Sequence, residues 1–299
     1  MNLKEAITFA QIKLKEKGIT SAPLDAEVLL LAAIDGENKD KSWMYLNLEK
    51  YILSPEEEKT FKSFIRRREK NEPAAYITGK KEFYGIDFFV DKNVLIPRVE
   101  TEIIVDEVLA IVKSAKDNLT LIDIGTGSGC IPISILKTID ASGLSRWIKK
   151  VYADDISDNA LKVARTNAKL HKVSPLITFL DCDLEIALDK IKKSKNLILT
   201  ANLPYISPED YEKLAPNIKS FEPKIALTTK NKGLYHITRL IEKFAALSPH
   251  MSSYHIFLEA DPMQMKSIES LAKKNLQNTK TEIIRDLRGK KRVAKIYKK

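Results

Sequence analysis

The segment "LILTANLPYIS" at residues 197–207 reads as a buried strand that ends in polar and rigid residues. Asn202, Leu203, Pro204 and Tyr205 follow the apolar run directly, although Asn and Pro are depleted in strands. A carboxamide and a backbone carbonyl accept hydrogen bonds, proline stiffens the turn between them, and an aromatic ring offers a flat surface. This tetrad is therefore a candidate site for holding a planar polar group.

A glycine-rich turn, "LIDIGTGSGC" at 121–130, follows an earlier strand and precedes a helix. Gly125, Gly127 and Gly129 let the backbone approach a ligand closely. A spaced-glycine loop alone is compatible with NAD, FAD, a phosphate or a simple tight turn. The GxGxG spacing and Asp123, just before the loop, argue against a dinucleotide, because a carboxylate there repels a pyrophosphate and suits a cationic ligand.

Carboxylates also follow the next two strands. Asp155, in "YADDIS", ends a strand where acidic residues accept hydrogen bonds from ribose hydroxyls in doubly wound folds. Asp183, in "LDCDL", ends the following strand and could accept a hydrogen bond from an adenine amino group. Together with Asp123 they match S-adenosylmethionine, which carries cationic amino and sulfonium groups. The residues expected to bind this cofactor are Asp123, Gly125, Thr126, Gly127, Ser128, Gly129, Asp155, Asp183, Leu184 and Asn202.

Beside such a cofactor the tetrad acquires a chemical role. An amide-type nitrogen is a poor nucleophile because its lone pair is delocalised, so it must be held in line with the sulfonium methyl group. The Asn202 side-chain carbonyl and the Leu203 backbone carbonyl can accept its two N–H groups, Tyr205 can stack on the planar group, and Pro204 stiffens the turn. We therefore expect catalysis by positioning, with acceptors placed where positive charge develops. These four residues are the expected catalytic and substrate-binding residues.

From Leu119 onward, short strand-like runs alternate with helical patterns, which predicts a mostly parallel sheet with helices on both faces. The last two strand candidates, "TEIIRDL" and "RVAKIYK", are separated only by "RGKK". They predict a hairpin with an antiparallel strand at the sheet edge.

The first 70 or so residues are predicted to be helical. "SPEEEKTFKSFIRRREK" begins with Ser54, Pro55 and Glu57, which predict an N-cap, a proline in the first turn and a capping box. The segment 74–97 is rich in aromatic and β-branched residues, with Gly79 and Gly85 at turn points. It predicts a β-hairpin or a short β connector.

Composition sets broader limits. A chain of 299 residues with 44% hydrophobic residues can form a substantial core. We expect a cytoplasmic protein, because no apolar run approaches the ~18–20 residues of a membrane span and the N-terminus lacks a signal peptide. The two cysteines, Cys130 and Cys182, have no metal-ligand spacing, so no metal is expected. The net charge of +10 is concentrated in "RDLRGKKRVAKIYKK", which fits either a nucleic-acid surface or a solvated edge strand guarded by lysines.

The segment "EPAAYITGKKEFYGIDFFVDKNVLIPRVETE" at 72–102 closely resembles the signature of the peptide chain release factor glutamine methyltransferases, the PrmC/HemK family. The likeness extends through "LDAEVLL", "DIGTGSGCI", "FEPKIAL" and "RDLRGKKRV", so it covers nearly the whole chain. It implies an α/β fold with a seven-stranded Rossmann-like class I methyltransferase domain at 98–299. A small all-α substrate-recognition domain at 1–72 and a β-hairpin linker at 73–97 are expected to precede it.

The same resemblance implies a reaction and a partner. Such enzymes methylate the side-chain amide nitrogen (N5) of the glutamine in the Gly-Gly-Gln motif of class 1 release factors. We therefore expect release factors as protein substrates, a monomeric enzyme, and no membrane or direct nucleic-acid contact. The alternative is a ribosomal-RNA adenine N6 methyltransferase, because "NLPY" is similar to the tetrad of the adenine dimethylases. Those enzymes carry their extra domain after the catalytic domain, whereas here it comes first.

This chain departs from the family pattern at a few positions. Leu203 and Val99 stand where the family usually has proline, although Leu203 keeps the backbone carbonyl that is needed. "LTTKNKGL" is poorer in glycine than expected, and "LEADPMQ" lacks a usual glycine. We expect these changes to affect substrate fit rather than the chemistry.

Overall fold

The computed structural model describes residues 1–34 and 39–298. The chain divides into two compact units, residues 1–80 with 215–221 and residues 81–214 with 222–299. The division at residues 72 and 97 expected from the sequence stays a prediction. In the described residues, no helix is both long and apolar enough to cross a membrane. The same residues contain no cluster of three or more His, Cys, Asp or Glu side chains arranged to hold a metal ion.

The regular elements follow the predicted change from helices to alternating strands and helices. The helices are α1 (Leu3–Glu16), α2 (Ala22–Ala33), α3 (Lys41–Leu46), α4 (Pro55–Arg68), α5 (Ala74–Thr78), α6 (Glu102–Ser114), α7 (Cys130–Ala141), α8 (Asp158–Leu170), α9 (Leu184–Ile191), α10 (Pro208–Tyr211), α11 (Pro216–Lys219), α12 (Tyr235–Ala245) and α13 (Met265–Asn275). The strands are β1 (Lys80–Phe83), β2 (Ile86–Phe89), β3 (Leu119–Ile124), β4 (Ile148–Asp155), β5 (Ile177–Asp181), β6 (Asn196–Ala201), β7 (Ser253–Glu259), β8 (Lys280–Arg285) and β9 (Lys291–Lys298).

The first unit is helical, and its local signals form as predicted. At the start of α4, the Ser54 side chain accepts from the Glu57 amide while the Glu57 side chain accepts from the Ser54 amide, which is a complete capping box. The hairpin is shorter than the predicted β segment, because residues 74–78 form α5. Gly79 ends that helix in the left-handed conformation at φ +68°, and β1 begins immediately afterwards.

The second unit contains a seven-stranded sheet in the order β5-β4-β3-β6-β7-β9-β8. Strands β3 to β7 are parallel to one another, whereas β9 is antiparallel to both β7 and β8. The antiparallel strand is therefore second from the edge, and β8 forms the edge itself. Val293, Ala294 and Ile296 of β9 are buried, and Lys295 pairs with Glu107 at 2.8 Å. The predicted hairpin therefore lies at the edge of the sheet. The solvated edge strand, one of the two interpretations of the basic segment, does not describe β9, because its apolar residues are buried inside the sheet.

Both faces of the sheet are covered. On one face, α9, α12 and α13 share a hydrophobic core with Ile122 and Ile124 of β3. Alternation along the strand turns Leu121 to the other side, and α7 and α8 pack on β3 and β4. Ile124 pairs with Asp154 of β4 and with Ala201 of β6. The residues that follow these three parallel strands therefore meet at one edge of the sheet, where open α/β folds bind ligands.

Candidate active site

A pocket lies at this carboxyl edge, and its wall belongs entirely to the second unit. The glycine loop, the end of β4, the start of α9 and the turn after β6 all contribute to it. The predicted site residues that line the pocket are Gly125, Thr126, Gly127, Ser128, Asp155, Asp183, Leu184, Asn202, Leu203 and Pro204. Three predicted residues, Asp123, Gly129 and Tyr205, are not on its wall.

The glycine loop is tied to the end of β4. The Thr126 amide donates to the Asp154 carbonyl at 2.8 Å, and the Gly127 amide donates to Asp155 Oδ2 at 2.9 Å. Asp155 Oδ1 accepts from the Ser157 amide at 2.9 Å. The Asp155 carboxylate is thus fixed in orientation on the pocket wall, and burial raises its pKa.

Gly129 serves helix packing. Its φ is +78°, and a Cβ atom there would lie 2.9 Å from the Ile133 Cδ1 atom and 3.3 Å from the Ala164 Cβ atom. Only a residue without a side chain lets α7 and α8 approach this closely. Its expected contact with a cofactor stays a prediction.

Asp123 lies beneath the loop and is only 1% exposed. Thr200 Oγ1 donates to its Oδ1 atom at 2.6 Å, while the Oδ2 atom has no hydrogen-bond partner in the described chain. Burial raises the pKa of this carboxyl to about 7. Asp123 therefore affects the pocket through its charge rather than as part of the wall.

Asp154 is a pocket residue that the sequence analysis missed. It is 3% exposed, lines the pocket, and has an Oδ1 atom without a partner among the described residues. Burial, together with the neighbouring carboxylates, raises the pKa of its carboxyl to about 8. The doubled acid in "YADDIS" was the available signal. Strand alternation does not reveal that both acids line the pocket, because adjacent strand residues normally point to opposite faces.

Asp183 lies two residues beyond the strand that it was expected to end, since β5 stops at Asp181. It caps α9 by accepting from the Leu184 amide at 2.8 Å. Arg239 of α12 pairs with it at 2.7 Å and holds the pKa of the Asp183 carboxyl below its usual value. His236, also on α12, lines the pocket, and burial lowers its pKa.

On the tetrad side of the pocket, next to the glycine loop, Asn202 follows β6 directly. Its Nδ2 atom donates to Thr101 Oγ1 at 3.2 Å. Leu203 is 8% exposed and belongs to the hydrophobic core, and a Cβ atom on Gly125 would lie 3.1 Å from Leu203 Cδ2. A leucine in place of the usual proline therefore packs against the glycine loop.

The backbone at Tyr205 is held by the two segments that depart from the family pattern. Gln264 Nε2 donates to the Tyr205 carbonyl at 2.8 Å and to the Lys232 carbonyl at 2.9 Å. A Cβ atom on Gly233, whose φ is +82°, would lie 1.9 Å from the Tyr205 carbonyl oxygen. The segment that is poor in glycine thus keeps Gly233, at the position where a side chain would displace the backbone of Tyr205. The Tyr205 hydroxyl makes a long, 3.4 Å contact to Glu259 Oε1.

The "IPR" segment reaches the pocket through Pro97 and Arg98. The buried Glu222 carboxylate accepts from the Ile96 amide at 3.2 Å and from Arg98 Nη2 at 2.5 Å. Two of the sequence segments that resemble the family signature therefore meet in one partly buried ion pair.

The arrangement suits a ligand that is cationic at one end. Unpartnered, buried carboxylate oxygens at Asp123 and Asp154 need donors or positive charge, and the glycine loop leaves its backbone open above Gly127. A carboxamide and a backbone carbonyl stand at the other end. Acceptors at both ends can bind one cationic group and one amino group in the same pocket.

Comparison with known families divides the chain as the fold does. Residues 5–79 match the PrmC N-terminal domain, and residues 104–252 match the family model of the ribosomal protein L11 methyltransferase (PrmA). Among solved structures, the hMettl16 catalytic domain in complex with a MAT2A 3′UTR hairpin has a TM-score of 0.53 at 16% identity, and covers 75% of this chain and 79% of its own. The N-terminal domain of human METTL16 in complex with SAH has a TM-score of 0.50 at 17% identity, and covers 72% of this chain and 76% of its own. These structures establish the class I methyltransferase fold.

Curated relatives match along nearly the full length. The release factor glutamine methyltransferase of Leptospira interrogans is 36% identical over 282 residues, which cover 93% of this chain and 92% of that protein. The release factor glutamine methyltransferase of Rhodopirellula baltica is 33% identical over 290 residues, which cover 95% of this chain and 92% of that protein. This identity over both units, with a pocket that joins the glycine loop to the tetrad, shows that the chain belongs to the release factor glutamine methyltransferase family.

Proposed function

We propose that this protein transfers a methyl group from S-adenosylmethionine to the side-chain amide nitrogen (N5) of the glutamine in the Gly-Gly-Gln motif of class 1 release factors. One observation carries the proposal. The glycine loop and the Asn202 carboxamide line the same pocket, so a cofactor and a planar amide can meet there. Family membership supports glutamine as the source of that amide.

The cofactor end has residues suited to S-adenosylmethionine. The loop from Gly125 to Ser128 would lie against it, Asp155 would take the ribose hydroxyls, and Asp183 with Leu184 would flank the adenine. When bound, the cofactor supplies an electrophilic methyl group on a sulfonium centre. The unpartnered Asp154 carboxyl, once ionised, would add negative charge on the wall of the pocket that takes this cation.

At the other end, the chain has to hold a weak nucleophile. Asn202 Oδ1 and the Leu203 carbonyl would accept the two N–H groups of the glutamine amide, which fixes its plane and stabilises the positive charge that develops on nitrogen. Pro204 limits the freedom of this turn, and Tyr205 would contribute its ring to the planar group. No general base is needed, because the acidified nitrogen can lose its proton to water after the transfer.

The helical first unit matches the PrmC N-terminal domain, and we propose that it helps to recognise the release factor. Because the proposed substrates are translation factors, we place the reaction in the cytoplasm.

The proposal is tested by intact-mass spectrometry of a purified class 1 release factor after incubation with the protein and S-adenosylmethionine. We expect one added methyl group, and none when the glutamine of the Gly-Gly-Gln motif is changed to alanine. Peptide fragmentation should locate the methyl group on that glutamine.

A parallel reaction with ribosomal RNA tests the alternative substrate. Methyl transfer to RNA adenine, with no gain of mass on the release factor, would refute the proposed function. It would assign the "NLPY" tetrad to the alternative that the sequence left open.

A further inference from the structure

A buried chain of hydrogen bonds lies behind the Asn202 carboxamide. Asn202 Nδ2 donates to Thr101 Oγ1 at 3.2 Å, and Thr101 Oγ1 donates to Glu259 Oε2 at 2.6 Å. Thr101 precedes α6 and Glu259 ends β7, and each is 2% exposed. Three distant parts of the second unit thus meet behind the tetrad.

The chain of bonds has a direction. Burial raises the pKa of Glu259, while the charge of Arg292 and the hydrogen bonds from Thr101 and Tyr205 favour its ionised form. In that form the carboxylate only accepts hydrogen bonds, so the Thr101 hydroxyl proton points to Glu259. Thr101 has no second proton, and its oxygen can therefore only accept from Asn202. The end of the carboxamide next to Thr101 must then be the NH₂ group, which turns the carbonyl end, Oδ1, away from Thr101.

That orientation matters because the two ends of a carboxamide have nearly the same shape and opposite hydrogen-bonding character. Only Oδ1 can accept an N–H group from a substrate amide. A reversed Asn202 would present its own NH₂ to the substrate NH₂, with no acceptor between them. Removing the constraint from Thr101 would let the amide rotate between these two states.

We propose that Thr101 and Glu259 are positioning residues that fix the Asn202 carboxamide with Oδ1 toward the substrate amide. This inference rests on the proposed function, since it assumes that Asn202 accepts from the target nitrogen. The Tyr205 hydroxyl approaches the other oxygen of the same carboxylate, Glu259 Oε1, at 3.4 Å. Glu259 is thus linked to both polar side chains of the tetrad, directly to Tyr205 and through Thr101 to Asn202.

The first test separates shape from hydrogen bonding at residue 101. Thr101→Val keeps the side-chain shape and removes the hydroxyl, whereas Thr101→Ser keeps the hydroxyl and removes the methyl group. We expect Thr101→Val to lower kcat for glutamine methylation on the order of 10- to 100-fold, with the Kd for S-adenosylmethionine within about twofold of wild type. Thr101→Ser should restore most of the lost kcat.

A matched control accounts for the general cost of replacing a buried threonine by valine. Thr120 lies on β3, is also buried and accepts a hydrogen bond from Ser194 at 3.1 Å, but it is not on the pocket wall. Thr120→Val should change the thermal midpoint and leave kcat near that of wild type. If Thr101→Val were as active as this control, or if Thr101→Ser were the more damaged variant at residue 101, the positioning role would be refuted.

A double-mutant cycle tests the Glu259 link. Glu259→Gln keeps the shape but allows its NH₂ group to point at Thr101, so it weakens the direction of the chain. In the Thr101→Val background it should lower kcat by a clearly smaller factor than in the wild type, because its link to Asn202 is already broken and only its long contact to Tyr205 remains. If the kcat loss of the double variant equalled the product of the losses in the two single variants, Glu259 would not act through Thr101.

The same assays separate failure of this inference from failure of the proposed function. A wild-type protein that leaves the release factor glutamine unmethylated refutes both. A wild-type protein and a Thr101→Val variant that methylate it equally well refute only the positioning role.

Discussion

The two ends of the pocket differ in how fully their buried polar atoms are hydrogen-bonded. At the glycine-loop end, Asp123 Oδ2, Thr126 Oγ1 and Asp154 Oδ1 have no partner among the described residues. At the tetrad end, the Asn202 NH₂ group donates to Thr101, and the Tyr205 carbonyl accepts from Gln264. The glycine-loop end therefore has buried polar atoms that lack hydrogen-bond partners, whereas the polar groups of the tetrad are hydrogen-bonded by the protein itself.

This difference has a physical reason. A buried polar atom without a partner costs free energy, which a ligand can recover when it supplies a donor or a positive charge. The incomplete end therefore suits tight binding of a cationic cofactor. The completed end suits catalysis by positioning, since acceptors that are already oriented need no rearrangement during the reaction. Substitutions at the two ends should accordingly affect different measured quantities.

The largest expected effect is at the completed end. Asn202→Ala removes a side-chain acceptor for the target nitrogen and should lower kcat by about 10²- to 10³-fold, by analogy with the loss of one preorganised hydrogen-bonding group. The Kd for S-adenosylmethionine, measured by calorimetry, should stay within a few-fold. An equally large loss of cofactor affinity would mean that the two ends do not act separately.

The opposite pattern is expected at the incomplete end. Asp155→Ala removes the carboxylate that accepts from the Gly127 and Ser157 amides and faces the proposed ribose position. The Kd of this variant for S-adenosylmethionine should rise by about 10- to 100-fold, because one or two hydrogen bonds to a charged group are lost.

At saturating cofactor, the kcat of Asp155→Ala should stay within a few-fold of wild type. Asp158→Ala is the matched control, because Asp158 begins the next helix, is exposed, and does not line the pocket. A control with the same rise in Kd would assign the effect to the helix start rather than to the Asp155 carboxylate.

A backbone substitution tests how tightly the tetrad is supported. Gly233→Ala would place a Cβ atom 1.9 Å from the Tyr205 carbonyl oxygen, whereas a Cβ atom on Gly143 would meet nothing within 4 Å. Both glycines have positive φ, so both substitutions carry the roughly 1–2 kcal/mol cost of a left-handed alanine. Only Gly233→Ala should also lower kcat, by about tenfold. Equal kcat values for the two variants would show that the position of Tyr205 does not limit the reaction.

The smallest effect concerns pH and the missed carboxylate. Burial raises the pKa of Asp154 to about 8, so the free protein holds this group mainly protonated at neutral pH. Its contribution to folding stability is full below the unfolded pKa of about 4, falls as the pH rises, and is lost once the pH has passed through about 8. A cationic ligand favours the ionised form, so the Kd for S-adenosylmethionine should fall by up to about tenfold between pH 7 and pH 9.

Asp154→Asn should flatten this pH dependence of the Kd and reduce the loss of thermal stability between about pH 5 and pH 8. Affinity and stability should still change somewhat with pH in this variant, because the pKa of Asp123 is also raised, to about 7. Calorimetry at pH 7, 8 and 9 measures the affinity, and a thermal melt of the free protein measures the stability. A variant with the full wild-type slope would show that another group titrates.

Much of the fold and part of the site were predictable because their signals are local. The capping box of α4 depends on residues three apart, and the alternation after Leu119 predicted the sheet and its helices. Which strand of the last hairpin forms the edge could not be predicted, because alternation within a strand does not reveal which strands lie beside it. A short helix replaced the start of the predicted β segment, where Gly79 offers a left-handed helix end.

The sequence by itself determined which chemical groups stand at the ends of the parallel strands, since parallel strands bring their carboxyl ends to one edge. The glycine loop, Asp155, Asn202 and Leu203 could all be placed there without coordinates. Only the tertiary structure decided what holds them. Thr101 lies 101 residues before Asn202 and 158 before Glu259, and Arg98 lies 124 before Glu222. Such bonds depend on strand order and helix packing, and the spacing of residues along a chain carries no direct record of either.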